Sequence, residues 1–272
     1  MGRRILIASG KGGVGKTTIT AGLGISLARS GVSVVIIDGD MGLSNLDTLM
    51  NIDGKVIFDL YDLMQKKCRI KQALVVDENL DNLYTLASSH ARVGEELSDD
   101  IRFSYITQKL AEVFDYVLID APAGASSGFK TCLAGSDEAI IVVTPHTSSI
   151  RDADKVIGLI SASGQSYSRS LKFVINRIRG DLVLSKQMLS HKDISQVLPA
   201  KLIGIIPESD WVNVYSSLVF SKLASRDAEQ SFSMLADNIH NGKSYLFDYM
   251  KKYKGLSGII RRGFYNLSKA GK

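Results

Sequence analysis

Gly10-Lys11-Gly12-Gly13-Val14-Gly15-Lys16-Thr17-Thr18 follows the apolar run Arg4–Ala8 and precedes a helix-like segment. Gly10, Gly15, Lys16 and Thr17 fit the pattern G-x-x-x-x-G-K-[ST]. That spacing predicts a strand, a tight loop and a helix whose N-terminus faces a phosphate. Glycine is needed because the backbone must curl with positive φ and approach phosphate oxygens closely. The freed N–H groups then converge as an anion nest. In such a loop Lys16 reaches the β- and γ-phosphates, and the Thr17 hydroxyl ligates Mg²⁺.

Gly10, Gly12 and Gly15 also read G-x-G-x-x-G, a dinucleotide-binding pattern. Val34–Asp38, an apolar run ending in an acid, suits a ribose-binding carboxylate. Three features weigh against it. A pyrophosphate on a helix N-terminus needs neither Lys16 nor Thr17. Lys11 adds a second positive charge to the loop. A further acid, Asp120, ends another apolar run much later.

The chain has 272 residues, enough for one large α/β domain, or one domain with an appendage, and a sizeable core. No segment is long and apolar enough to span a bilayer, and the first residues lack a signal-peptide pattern, so a cytosolic protein is expected. Cys68 and Cys132 form no C-x-x-C pair and read as ordinary thiols. His90, His146, His191 and His240 lie far apart, without metal-ligand spacing. The net charge of +5 is unevenly spread. Residues 250–272 hold Lys251, Lys252, Lys254, Arg261, Arg262, Lys269 and Lys272 and no acid; without those seven, 26 basic residues face 28 acidic ones. A body near −2 is a poor match for nonspecific nucleic acid, and no specific nucleic acid is expected.

β-Branched runs recur at Arg4–Ala8, Val34–Asp38, Leu83–Leu86, Tyr116–Asp120, Ala139–Thr144, Leu171–Asn176 and Leu202–Ile206. Helical patterns separate them at Lys16–Ser30, Asp99–Val113, Ser149–Ser163, Ser185–Leu198 and Ser221–Asn241. The alternation predicts an α/β fold, a mostly parallel twisted sheet with helices on both faces. Ligands of such sheets lie beyond the carboxyl ends of the strands. Asp38, Asp40, Asp120, Thr144, Asn176 and Pro207 therefore share one rim with the glycine loop.

Asp120, followed by Ala121-Pro122-Ala123-Gly124, stands where a nucleotide-bound Mg²⁺ needs a carboxylate behind it. Asp38 and Asp40, two apart, aim at the same space. One suits the magnesium shell, and the other suits a water attacking a phosphoryl group. The bland alternative is that acids between Asp38 and Asp47 merely cap loops and helices.

Lys11 with Lys16 in K-G-G-V-G-K-T, the D-G-D-M-G-L-S-N-L-D stretch from Asp38 to Asp47, and Asp120-Ala-Pro-Ala-Gly124 together resemble the MinD/ParA family of dimerising P-loop ATPases. Thr144–Asp154, Val174-Ile-Asn-Arg177, Met188-Leu-Ser190 and Gly204-Ile-Ile-Pro-Glu208 resemble its MinD branch. The likeness runs from about Arg3 to the C-terminus, in order and at similar spacing. It implies a P-loop ATPase using ATP and Mg²⁺, with residues 10–18 holding phosphates. Lys11 would reach across an ATP-held homodimer. Asp40 would activate water, supported by Asp38, and Thr17, Asp38 and Asp120 would surround Mg²⁺. Asn45 and Gly124 would order the two switches. Asn176, Arg177, Pro207 and Glu208 would surround adenine. Ser148, Arg151, Asp152 and Asp154 would form a partner-docking helix face; for the two acids, a solvated helix N-terminus is an equal alternative. Partners implied are a MinC-like septum inhibitor and a topological factor of the MinE or DivIVA kind. Ala121, where Ser is usual, and Ala125-Ser126-Ser127, where Ile-Glu is commoner, depart from the family in a segment that contributes to partner contact. Rival readings are a ParA-like or flagellar-number relative, and a metal-cluster carrier of the same fold. The second needs paired interface cysteines.

The composition changes near Asn241, which suggests an ATPase domain over residues 1–241 and a linker with a terminal helix over 242–272. Leu256, Ile259, Ile260, Phe264 and Leu267 fall on one helical stripe, with Arg261, Arg262 and Lys269 elsewhere. The pattern is that of an interfacial helix drawn to anionic lipid, and it resembles the membrane-targeting tail of the MinD branch. The alternative is a last helix packed on the sheet. Partial burial of the five side chains is worth roughly 5–10 kcal/mol. Ordering about fifteen residues cancels most of it. A single tail then binds reversibly, and two tails on a dimer bind far better. The expected location is the cytoplasm and the cytoplasmic face of the membrane.

Overall fold

The computed structural model describes residues 1–41, 46–88, 98–163, 171–209 and 226–253. Eight strands form one sheet in the order β3-β4-β2-β5-β1-β6-β7-β8. They are β1 (Arg3–Ala8), β2 (Val34–Asp38), β3 (Leu74–Val76), β4 (Leu83–Leu86), β5 (Tyr116–Asp120), β6 (Glu138–Val143), β7 (Leu171–Ile178) and β8 (Lys201–Pro207). All neighbouring pairs are parallel except β3 with β4. Val34–Asp38 and Tyr116–Asp120 are buried at every position. Helices cover both faces, so these strands need apolar side chains on each side rather than an alternating pattern.

One face carries α1 (Lys16–Arg29) and the last described α-helix, α10 (Arg226–His240). The other carries α5 (Asp100–Ala111), α6 (Ser127–Ala134) and α7 (Thr147–Ala162). Short helices α2 (Leu46–Met50), α3 (Leu60–Met64) and α4 (Ile70–Ala73) lie between β2 and β3. Several helices start on side-chain caps: the carboxylate of Asp99 accepts from the Arg102 N–H and the Ser126 hydroxyl from that of Phe129.

The structure corrects the expected helix over 185–198. A separate short helix, α8 (Gly180–Leu184), ends just before the span begins, and only the second half of the span is helical, as α9 (His191–Val197). Lys186 adopts φ 58°, which ends the first, and Ser190 with Asp193 forms a capping box that starts the second. The antiparallel strand β3 was not expected either. It is three residues long and borders the sheet, too short to show a period.

At the amino ends of the central strands, Glu138 receives the Arg3 guanidinium at 2.6 and 2.8 Å and the Lys172 ammonium at 2.6 Å. Burial works against the charge, but these hydrogen bonds and attractions win and hold the Glu138 carboxyl down at about 2. Past α10 the chain turns back over the body. The Asn238 amide donates to the Tyr245 carbonyl, Tyr249 is buried, and its hydroxyl lies 2.9 Å from His191 Nδ1. Residues 256–270, the apolar stripe, lie outside the described residues, as does Asn45.

Candidate functional site

The glycine loop connects β1 to α1. Gly13 and Gly15 take φ of 76° and 88°, and Gly15 is the N-cap of α1. No side chain caps this helix, and no acid lies in its first turn. Its unpaired N–H groups therefore face the loop with their partial positive charge. A cleft of about 260 Å³ opens there, lined by Lys11, Gly12, Gly13, Gly15, Lys16, Thr17 and Thr18 of the loop, by Asp38, Asp40 and Asp120, and by Ser9, Ala123 and Arg177.

Lys16 is buried, and its Nζ donates to Asp120 Oδ1 at 2.8 Å. Burial pulls its pKa down, but Asp120, Asp38 and Asp40 outweigh that and raise it above the ordinary lysine value. The ammonium is thus fixed positive in a nearly dry place. Thr17 Oγ1 donates to Asp120 Oδ2 at 2.7 Å, and Thr20 Oγ1 lies 3.0 Å from Asp120 Oδ1. Three groups of α1 converge on one carboxylate. Thr20 is one turn beyond Lys16 on the same helix face, a signal that i, i+4 spacing could have supplied.

Asp38 and Asp120 are register partners at the ends of β2 and β5. The Gly39 N–H donates to the Asp120 carbonyl at 2.9 Å, and the Asp40 N–H to Asp38 Oδ1 at 3.0 Å. Gly39 has no room for a side chain: a Cβ would stand 2.5 Å from Cys132 Sγ and 3.0 Å from the Asp120 carbonyl oxygen. Cys132 is wholly buried behind the acids, and burial pushes its thiol far above the ordinary range. It is an inert packing group beneath the site. Burial also lifts the half-buried Asp40, with Lys16 opposing and Asp120 adding to the rise. Asp47 belongs to α2, where its carboxylate accepts from the Thr48 N–H at 2.8 Å.

Other expected site residues are placed differently. Val14 and Gly10 do not line the cleft; Val14 is buried, and the Gly10 backbone packs against that of Asp152 in α7. Asn176 is buried, its Nδ2 donating to the Val14 carbonyl at 2.8 Å. Pro207 and Glu208 line a neighbouring cleft of about 230 Å³ together with Arg179, Asp181, Tyr249 and Tyr253. Thr144 is buried, and its N–H donates to Ser149 Oγ at the start of α7. Ser148, Arg151 and Asp154 are exposed on α7, while Asp152 pairs with Lys155 at 3.0 Å.

The donors about the cleft fit Mg²⁺. The Thr17 hydroxyl and the carboxylates of Asp38 and Asp120 are all-oxygen, which suits a hard cation. Among the described residues no cluster of His, Cys, Asp or Glu is arranged to hold a metal alone. A magnesium ion held here would need further oxygens from phosphates and water, as this ion commonly does. Among the described residues no helix is long and apolar enough to cross a membrane.

A parallel sheet whose first strand runs through a glycine cradle into a helix, with a buried lysine and two strand-end acids beneath, defines a P-loop nucleotide-binding protein. The model of the CobQ/CobB/MinD/ParA nucleotide-binding domain matches residues 5–240. The septum site-determining protein MinD of Synechocystis sp. is 37% identical over 266 residues, covering 96% of this chain and 98% of that protein. Among solved structures, the MinC:MinD cell division complex of Aquifex aeolicus superposes with a TM-score of 0.80 at 34% identity, over 89% of this chain and 97% of that one. The MinD of Pyrococcus horikoshii complexed with Mg-ADP gives 0.76 at 28% identity, over 88% and 96%. The chain belongs to the CobQ/CobB/MinD/ParA family, among the septum-site-determining MinD ATPases.

Proposed function

We propose that this protein hydrolyses ATP to ADP and phosphate and uses the bound triphosphate to control dimerisation and membrane attachment at the division site. The observation that carries the reading is the convergence of Lys16, Thr17 and Thr20 on Asp120, beside Asp38 and Asp40 at the mouth of the glycine cradle. The loop residues that line the cleft, Lys11 to Gly13 and Gly15 to Thr18, hold the phosphates through backbone N–H groups and the Lys16 ammonium. Thr17, Asp38 and Asp120 would hold Mg²⁺, which would supply positive charge to offset that of the phosphates. Asp40 accepts a proton from the attacking water. Lys11 is exposed at the loop and serves the nucleotide of a second copy. Asn176, Arg177, Pro207 and Glu208 form the base side of the site.

The ATP-bound dimer presents two copies of the terminal segment 256–270 to an anionic inner-membrane surface, and hydrolysis releases them. The linker-and-helix role of residues 242–272 belongs to this reading. The Aquifex aeolicus relative is seen with MinC, which supports a MinC-like septum inhibitor as a partner, and the exposed side of α7 is its docking surface in this reading. A MinE- or DivIVA-type factor sets position. The protein cycles between cytoplasm and membrane. Phosphate release by the full-length protein tests the catalytic half: turnover that requires Mg²⁺ and disappears in Lys16→Ala supports it. No release above background, with anionic vesicles present or absent, contradicts it.

A further inference from the structure

Asn176 sits near the end of β7, where that strand leaves regular pairing with β8 and Arg177 takes φ 59°. The kink places the Asn176 carboxamide under the glycine loop. Its Oδ1 accepts the Arg177 N–H at 3.0 Å, and its Nδ2 donates to the Val14 carbonyl at 2.8 Å. The residue is 6% exposed, so both bonds are shielded from water. The fit against the loop is close: any Cβ on Gly15 would collide with Asn176 Nδ2.

A trans peptide carries its C=O and N–H on opposite edges, and the described residues contain no cis peptide. With the Val14 carbonyl held toward Asn176, the N–H of Gly15 on the same peptide plane points away from Asn176, toward the cleft that Gly15 lines. That N–H is one of the donors of the anion nest.

We propose that Asn176 is a positioning residue of the phosphate loop, fixing the Val14–Gly15 peptide so that the nest is formed before a triphosphate arrives. The inference deepens the ATP-binding reading and rests on it for the identity of the ligand. A carboxamide has two donors and two acceptor sites. Two of the four are spent on the loop and on Arg177, leaving one N–H and one lone pair, a pairing able to meet a base edge. One side chain thus serves both ends of the nucleotide. A residue that only reads the base has no effect on a ligand without one.

The test uses the full-length protein and Asn176→Ala, titrated by calorimetry with MgATP and with magnesium tripolyphosphate, which carries no base. Loss of a shielded hydrogen bond lowers tripolyphosphate affinity roughly 3- to 10-fold. ATP affinity falls further, the excess being the base's share. Unchanged tripolyphosphate affinity beside weakened ATP makes Asn176 a base reader alone and overturns the proposal. Amide exchange at residues 12–16, measured without nucleotide, speeds up in the variant; unchanged exchange also overturns it. If Asn176→Ala does not fold, Asn176→Ser takes its place. Wild-type protein that binds neither ligand removes the ATP reading, and the exchange measurement then decides the positioning role by itself.

Discussion

Asp38 and Asp120 stand side by side as register partners at the carboxyl ends of β2 and β5, and each is 1% exposed. Two adjacent buried carboxylates repel each other unless a cation lies between or above them. The Lys16 ammonium, 2.8 Å from Asp120, supplies that charge. The turn after Asp38 is held to the end of β5 by the Gly39 bond to the Asp120 carbonyl, so the strand that bears one acid sets the loop that bears the next. The positions of Asp38, Asp40 and Asp120 are therefore mutually dependent.

Gly39→Ala forces a Cβ against Cys132 Sγ and the Asp120 carbonyl. Overpacking of this kind costs about 1–3 kcal/mol, read from denaturant melts. Turnover falls as well, because Asp38 and Asp40 move with the turn. Cys132→Ala in the same chain opens space and recovers part of both losses. A double variant no better than Gly39→Ala would show that the thiol contact is not the cause.

Asp40→Ala leaves ATP binding and dimerisation intact and slows turnover by roughly 10²- to 10⁴-fold, the usual contribution of a positioned proton acceptor. Protein trapped with ATP then accumulates on vesicles. In the wild type the acceptor is the ionised carboxylate. An unchanged ATPase rate in Asp40→Ala removes this residue from the mechanism.

Glu138→Gln weakens the Arg3 and Lys172 contacts at the base of the sheet. A loss of about 1.5–3 kcal/mol is expected at neutral pH, the range for charged hydrogen bonds. Folding lowers the Glu138 pKa from 4.5 to about 2, so its contribution is complete above the unfolded value and fades as pH drops through the folded one. Melts of the two proteins should differ at pH 7 and converge toward pH 2. A gap that persists in acid would mean that packing rather than charge carries the effect.

The loop and strand ends were legible in the sequence because they rest on local rules. The runs at Val34–Asp38 and Tyr116–Asp120 occur as strands with those limits, since strands buried on both faces need unbroken apolar residues. The break at Lys186 was missed because a left-handed lysine leaves no compositional mark, although Ser190-x-x-Asp193 could have signalled the new helix start. β3 and the five-residue helices are too short for a period to emerge. At the site, Lys16 and Thr17 are singled out by the loop spacing and Asp120 by its place at a strand end, and the fold brings the three together. The contacts of Asn176 with Val14 and of Gly39 with Cys132 join segments 162 and 93 residues apart, and only the fold reveals them.

Sedimentation of the full-length protein with anionic liposomes, in ATP, ADP or no nucleotide, tests the central claim most directly. The protein should pellet with vesicles in ATP and stay in the supernatant in the other two conditions. Equal pelleting in all three, or none in ATP, would contradict the account.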